Sequence, residues 1–213
     1  MKKKTFYHLV LDKSGSMENC WAEARQVVND QLKVLAQTQA DNFDSEIYFS
    51  YCVFNQALRF SSKITDIQTA TVEWGEIYPE GMTALYDAIG ESIAFVKEKA
   101  GRDLDSTHSD VVMLILTDGH ENASKKHSGL DIKEMIQAHE QTEKWNFLFL
   151  GAGLNITDVT QDLDRSNRNS YSFEKANFQK TFALVNEELE EFVKSKSTDQ
   201  KKRGFFENSE GSF

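Results

Sequence analysis

The stretch Phe6-Tyr7-His8-Leu9-Val10-Leu11-Asp12-Lys13-Ser14-Gly15-Ser16 decides how this chain reads. An almost continuously apolar run ends abruptly at a carboxylate, and two hydroxyls follow at alternate positions. A short run that is apolar on both faces suits a strand covered by helices on both sides. Residues 47–54, aromatic and β-branched, residues 111–116, aliphatic with Met113, and residues 147–150 share that style. Each is short enough to be a strand rather than a buried helix.

Helical periodicities lie between these runs. Trp21, Ala24, Val28, Leu32 and Leu35 recur every three or four residues, as do Leu85, Ile89, Ile93 and Val96. Ile132, Met135, Ile136 and His139 give a weaker example, and Ile156, Val159 and Leu163 a short one after Gly151-Ala152-Gly153. Phe178, Phe182, Val185, Leu189 and Phe192 form a clear stripe, with Glu187, Glu188, Glu190 and Glu191 on the other faces. Such stripes are core-facing. Asn55-Gln56 leave no room for the dozen or so residues that a parallel crossover needs, so residues 57–60 read as a short antiparallel edge strand after a hairpin. Another short strand is expected around residues 171–173. Strands alternating with helices imply an α/β fold with a mainly parallel, doubly wound sheet.

The composition supports one globular unit. The chain has 213 residues, a single proline (Pro79) and a net charge of −10. An acidic chain lacks the basic patch that nucleic-acid binding needs, and its one basic run, Lys201-Lys202-Arg203, falls in a polar tail. No stretch approaches the roughly 20 apolar residues of a membrane span. The basic residues 1–4 precede an apolar run too short and too polar for a secretory signal. Cys20 and Cys52 make no disulfide framework. The expectation is a cytoplasmic domain over residues 1–195 and a polar, disordered tail over 196–213.

In open α/β sheets, ligands bind at the carboxyl ends of strands where connections diverge. Asp12, Ser14 and Ser16 stand at one such end, and Thr117-Asp118-Gly119 puts a second carboxylate at the same edge. Pro79-Glu80-Gly81-Met82-Thr83 leads into a helix starting near Ala84, which Thr83 could cap. Singly, these are strand-end and capping residues. Together, two carboxylates and three hydroxyls suit a hard divalent cation: Mg²⁺, or equally Mn²⁺ or Ca²⁺. They do not resemble the thiolate and imidazole set of zinc sites. Gly15 and Gly119 are expected to relieve the tight turns. So few charged ligands would leave the ion electrophilic, with a position open for an incoming carboxylate. His120, Glu121 and His127 read as solvated loop members, and Cys20 as a small packed residue.

Asp12-x-Ser14-x-Ser16 after an apolar strand, Thr83 in a glycine-containing loop and Asp118 in Leu-Thr-Asp-Gly resemble the metal-ion-dependent adhesion site (MIDAS) of von Willebrand factor type A (vWA) domains. The resemblance covers roughly residues 5–194. It departs at Met82, where relatives often carry a second glycine. It implies a Rossmann-like sheet with helices on both faces and a metal bound by Ser14, Ser16 and Thr83, with Asp12 and Asp118 acting directly or through water. It also implies a partner protein that completes the coordination with Asp or Glu. Without a leader or anchor, the chain is most similar to stand-alone intracellular bacterial members associated with tellurium resistance and stress or phage-defence loci. These scaffold or regulate partner proteins. The resemblance therefore implies a non-catalytic, metal-dependent interaction module. The alternative is a Mg²⁺-dependent phosphoryl-transfer enzyme using Asp12. Against it, haloacid dehalogenases need a second Asp where Ser14 stands, and response regulators need an acid cluster and a later lysine. There is no phosphate-binding Gly-x-x-x-x-Gly-Lys loop and no Gly-x-Ser-x-Gly elbow.

Overall fold

The computed structural model describes residues 2–153 and 169–197. The first strand, β1 (Lys3–Asp12), lies inside a seven-stranded sheet. It pairs in parallel with β2 (Ser45–Phe54) on one side and β5 (Ser109–Thr117) on the other. Beyond β5 come β6 (Trp145–Ala152) and β7 (Ser170–Phe173), both parallel. The outer side of β2 carries β3 (Leu58–Phe60) and β4 (Thr65–Asp66), both antiparallel. The hairpin forms as expected. The second antiparallel strand, β4, was not anticipated, because two residues carry no periodicity. Its Asp66 caps the following turn by accepting from the Gln68 N–H at 2.8 Å.

Each long strand alternates between two cores. Tyr7, Leu9 and Leu11 of β1 and Val112, Leu114 and Leu116 of β5 face α1 (Trp21–Asp41) and α4 (Phe178–Ser197). Phe6 and Val10, with Val111, Met113 and Ile115, face α2 (Leu85–Ala100) and α3 (Gly129–Glu140). All nine residues of β5 are buried, which is why the run reads as continuously apolar rather than alternating. The helices show their predicted stripes: Phe178, Phe182, Val185, Leu189 and Phe192 of α4 are all buried. Gln31 of α1 donates to Asn186 of α4 at 3.1 Å, tying the two helices of one face.

The chain leaves β1 toward α1 on one face and leaves β5 toward α3 on the other. The carboxyl ends of β1 and β5, paired at Leu11 and Leu116, therefore form the rim where connections diverge. The α4 helix runs to Ser197 and takes up the first residues expected in the tail. Residues 198–213, and the short helix expected over Ile156, Val159 and Leu163, lie outside the described residues. Among the described residues no helix is long and apolar enough to cross a membrane.

Candidate metal centre

Three loops meet at this rim through their backbones. The Lys13–Gly15 segment is stitched to the 80–81 segment by Glu80 N–H to Lys13 O (2.9 Å) and Gly15 N–H to Gly81 O (3.1 Å). Thr83 is then clasped by the loop after β5: its N–H donates to Asn122 Oδ1 (2.8 Å), and its carbonyl accepts from Asn122 N–H (3.0 Å). That loop is itself held down by carboxylates. Glu121 accepts from the N–H groups of Tyr86, Ala123 and Ser124 and from the Ser124 hydroxyl. Asp87 accepts from the N–H groups of Lys125, Lys126 and His127. Although burial opposes ionisation of Asp87, these bonds outweigh it and hold the carboxyl below its usual range. Tyr86 and Asp87 stand in the first turn of α2, so the loop also satisfies amides that a helix start leaves unpaired.

All five expected residues come to this edge. Asp12 is fully buried; its Oδ1 accepts from Ser14 N–H at 2.7 Å and its Oδ2 from the Thr117 hydroxyl at 2.7 Å. Burial pushes its carboxyl up to about 6 against the pull of those bonds, and the nearby Asp118 charge adds to the rise. Ser14 Oγ lies 3.1 Å from Ser16 Oγ, which donates to Asp118 Oδ1 at 2.6 Å. The other Asp118 oxygen accepts from Lys175 Nζ, a residue no local spacing announces.

The hydroxyls do not act as helix caps. Ser14 precedes the 3₁₀ turn Gly15–Cys20 without a side-chain capping bond. The residue before α2 is Ala84, not Thr83. The expected role of the glycines also changes. Neither Gly15 nor Gly119 has a positive φ; in this loop system the left-handed residue is Gly81, at φ 75°. Gly119 matters for space: a Cβ there would lie 3.0 Å from Thr83 Oγ1, 3.5 Å from Ser16 Oγ and 3.7 Å from Ser14 Oγ. All three hydroxyl oxygens thus lie within 3.7 Å of one point beside Gly119, and Thr83 Oγ1 approaches it more closely than a side chain there would readily allow. This oxygen-only cradle, backed by two carboxylates, fits the chemistry of a hard divalent ion. Among the described residues no group of three or more His, Cys, Asp or Glu could hold a metal.

His120 is exposed as expected, but Glu121 is a structural anchor rather than a solvated residue. His127 lies over Gly90, where a Cβ would meet its ring at 2.5 Å. Cys20 is buried, and burial pushes its thiol up to about 11, so it behaves as a packed residue rather than a nucleophile.

No protein-family model and no curated protein matches this sequence. Solved structures match the fold, which is that of vWA domains. BatB from Bacteroides thetaiotaomicron superposes with a TM-score of 0.61 at 15% identity, covering 90% of this chain and 100% of that one. The von Willebrand factor domain of the type V pilus tip protein Mfa5 from Porphyromonas gingivalis gives 0.58 at 9% identity, covering 91% and 97%. Proximal thread matrix protein 1 from the mussel byssus, with zinc in its MIDAS motif, gives 0.59 at 15% identity over 87% of this chain. This chain spans about half the length of the mussel protein, 48%.

Proposed function

We propose that this protein is a metal-dependent protein-interaction module, in which Asp12, Ser14, Ser16, Thr83 and Asp118 hold a divalent cation. The observation that carries the reading is the convergence of three hydroxyl oxygens on the space beside Gly119, with both carboxylates hydrogen-bonded around it. A bound ion would supply Lewis acidity toward an Asp or Glu of the partner. The chain's own residues fix the donor set, and Thr117 and the Ser14 amide orient Asp12. Mg²⁺ suits oxygen donors best, with Mn²⁺ and Ca²⁺ as close substitutes. The zinc-occupied MIDAS of the mussel protein supports a divalent ion in general and brings zinc into the range.

The remaining assignments rest on the resemblance to stand-alone intracellular bacterial members: a scaffold or regulator, cytoplasmic, in a stress or defence system. Residues 1–195 would form the domain, with α4 reaching two residues past that bound. The phosphoryl-transfer alternative would need Asp12 as an exposed nucleophile. Asp12 is instead fully buried and its two oxygens are engaged by the Ser14 amide and the Thr117 hydroxyl, an arrangement that favours holding an ion, directly or through water, over attack on phosphorus.

The test is Mn²⁺ titration followed by electron paramagnetic resonance, carried into the millimolar range, on wild type and Asp118→Ala. Saturable one-site binding that vanishes in the variant is expected, together with a partner retained in Mg²⁺ and released by EDTA. Indistinguishable titrations would overturn the metal site, and a partner indifferent to EDTA would overturn metal bridging.

A further inference from the structure

Asp118 already has a cation. Its side chain is completely buried, and the ion pair it makes is with Lys175, whose side chain is 33% exposed. Lys175 opens the 3₁₀ turn Lys175–Asn177 just before α4. Its Nζ donates both to Asp118 Oδ2 and to the main-chain carbonyl of Ser16, at 2.9 Å for the latter. The ammonium thus bridges two of the loops that form the cradle. The stem reaches it by crossing Gly153, where a Cβ would lie 3.2 Å from Lys175 Cγ and 3.3 Å from Cε. Residue 153 therefore has to stay small for the lysine to take this path.

A buried carboxylate without a counter-charge is costly, and Lys175 meets that need when no metal is bound. A divalent ion brings its own positive charge to the same carboxylate, and two cations sharing one anion repel. The Lys175 side chain is partly exposed, so its ammonium can swing toward solvent on the flexible stem. We infer that Lys175 is a tethered counter-cation that competes with the divalent ion for Asp118 and so sets the metal affinity of the site. This inference rests on the metal-binding reading above.

Lys175→Met keeps the stem over Gly153 and removes the charge; Lys175→Arg keeps the charge. Mn²⁺ titrations should show Lys175→Met binding roughly tenfold tighter than wild type, the scale of one lost charge-assisted bond, with Lys175→Arg close to wild type. In urea without metal, Lys175→Met should be the less stable protein, and saturating Mn²⁺ should erase that deficit. Equal or weaker Mn²⁺ binding by Lys175→Met, with the wild-type site intact, would overturn the competition and leave the metal site standing. A stability deficit unchanged by Mn²⁺ would likewise reduce Lys175 to a structural tie. Absence of saturable binding in both wild type and Lys175→Met would overturn the metal site and the competition with it.

Discussion

His8 and Asp12 are four residues apart on β1, point to the same face of the sheet and are both fully buried. Their surroundings differ completely. His8 lies beside the stacked pair of Phe60 and Phe95, at ring separations of 6.4 and 5.7 Å. Its Nδ1 meets Ser50 Oγ at 2.7 Å, and its Nε2 has no hydrogen-bond partner among the described residues. Asp12 has a donor on each oxygen, from the Ser14 amide and the Thr117 hydroxyl. In mid-strand the neighbouring main chains spend their donors on the ladder, so a polar side chain finds at most another side chain. One turn of pleat later the loops begin, and free amides and hydroxyls can be aimed at it. Position along the strand, rather than burial, separates a polar residue that is merely tolerated from one set among converging oxygens.

The sharpest way to break this comparison is acid. Burial lowers the His8 pKa to about 3, whereas an unfolded histidine titrates near 6.5. Between those values the unfolded chain binds the extra proton, so stability falls as pH falls. The slope approaches about 1.4 kcal/mol per pH unit below the unfolded value. Urea unfolding from pH 7 to pH 4.5 should therefore show wild type losing ground steadily to a His8→Phe/Ser50→Ala double variant. Parallel pH profiles would mean that His8 is not held neutral.

A smaller effect is expected at the other end of the strand. Thr117→Val preserves shape but removes the hydroxyl from Asp12 Oδ2, and should cost about 1–3 kcal/mol at pH 7. Unchanged stability would show that Asp12 does not depend on that donor. The smallest change comes from Asn122→Ala, which takes away the acceptor of the Thr83 amide. About 1 kcal/mol is expected, with faster hydrogen exchange at the Thr83 N–H. Undiminished protection there would show that the Thr83 loop is held by other contacts.

The same contrast explains what the sequence discloses. The four long parallel strands are legible because burial on both faces writes them as nearly continuous apolar runs, interrupted only at residues such as His8 and Ser50. The hydroxyls and carboxylates of the rim are legible as a set because each stands just past such a run or before a helical stripe. Their individual roles are not, since a capping serine and a ligating serine look alike; only the absence of a capping bond at Ser14 separates the two. Glu121 reads as a loop residue although it gathers four donors, because three of them are main-chain amides that carry no sequence signature. Lys175 lies 57 residues beyond Asp118 and 159 beyond Ser16, so only the parallel packing of β6 and β7 beside β5 brings it to the rim.

The hold of Asp87 on the amides of Lys125, Lys126 and His127 has an evolutionary consequence. Because the loop is gripped by its main chain, the exposed side chain at 125 has no part in that grip, and Lys126 adds only an exposed ion pair to Glu91 at 3.2 Å. Copies of such a gene can diverge at position 125, and at 126 at the cost of that one ion pair, while the main-chain grip beneath is inherited unaltered. The surface chemistry of this loop and its architecture are thus written in different atoms, so the first can drift without the second.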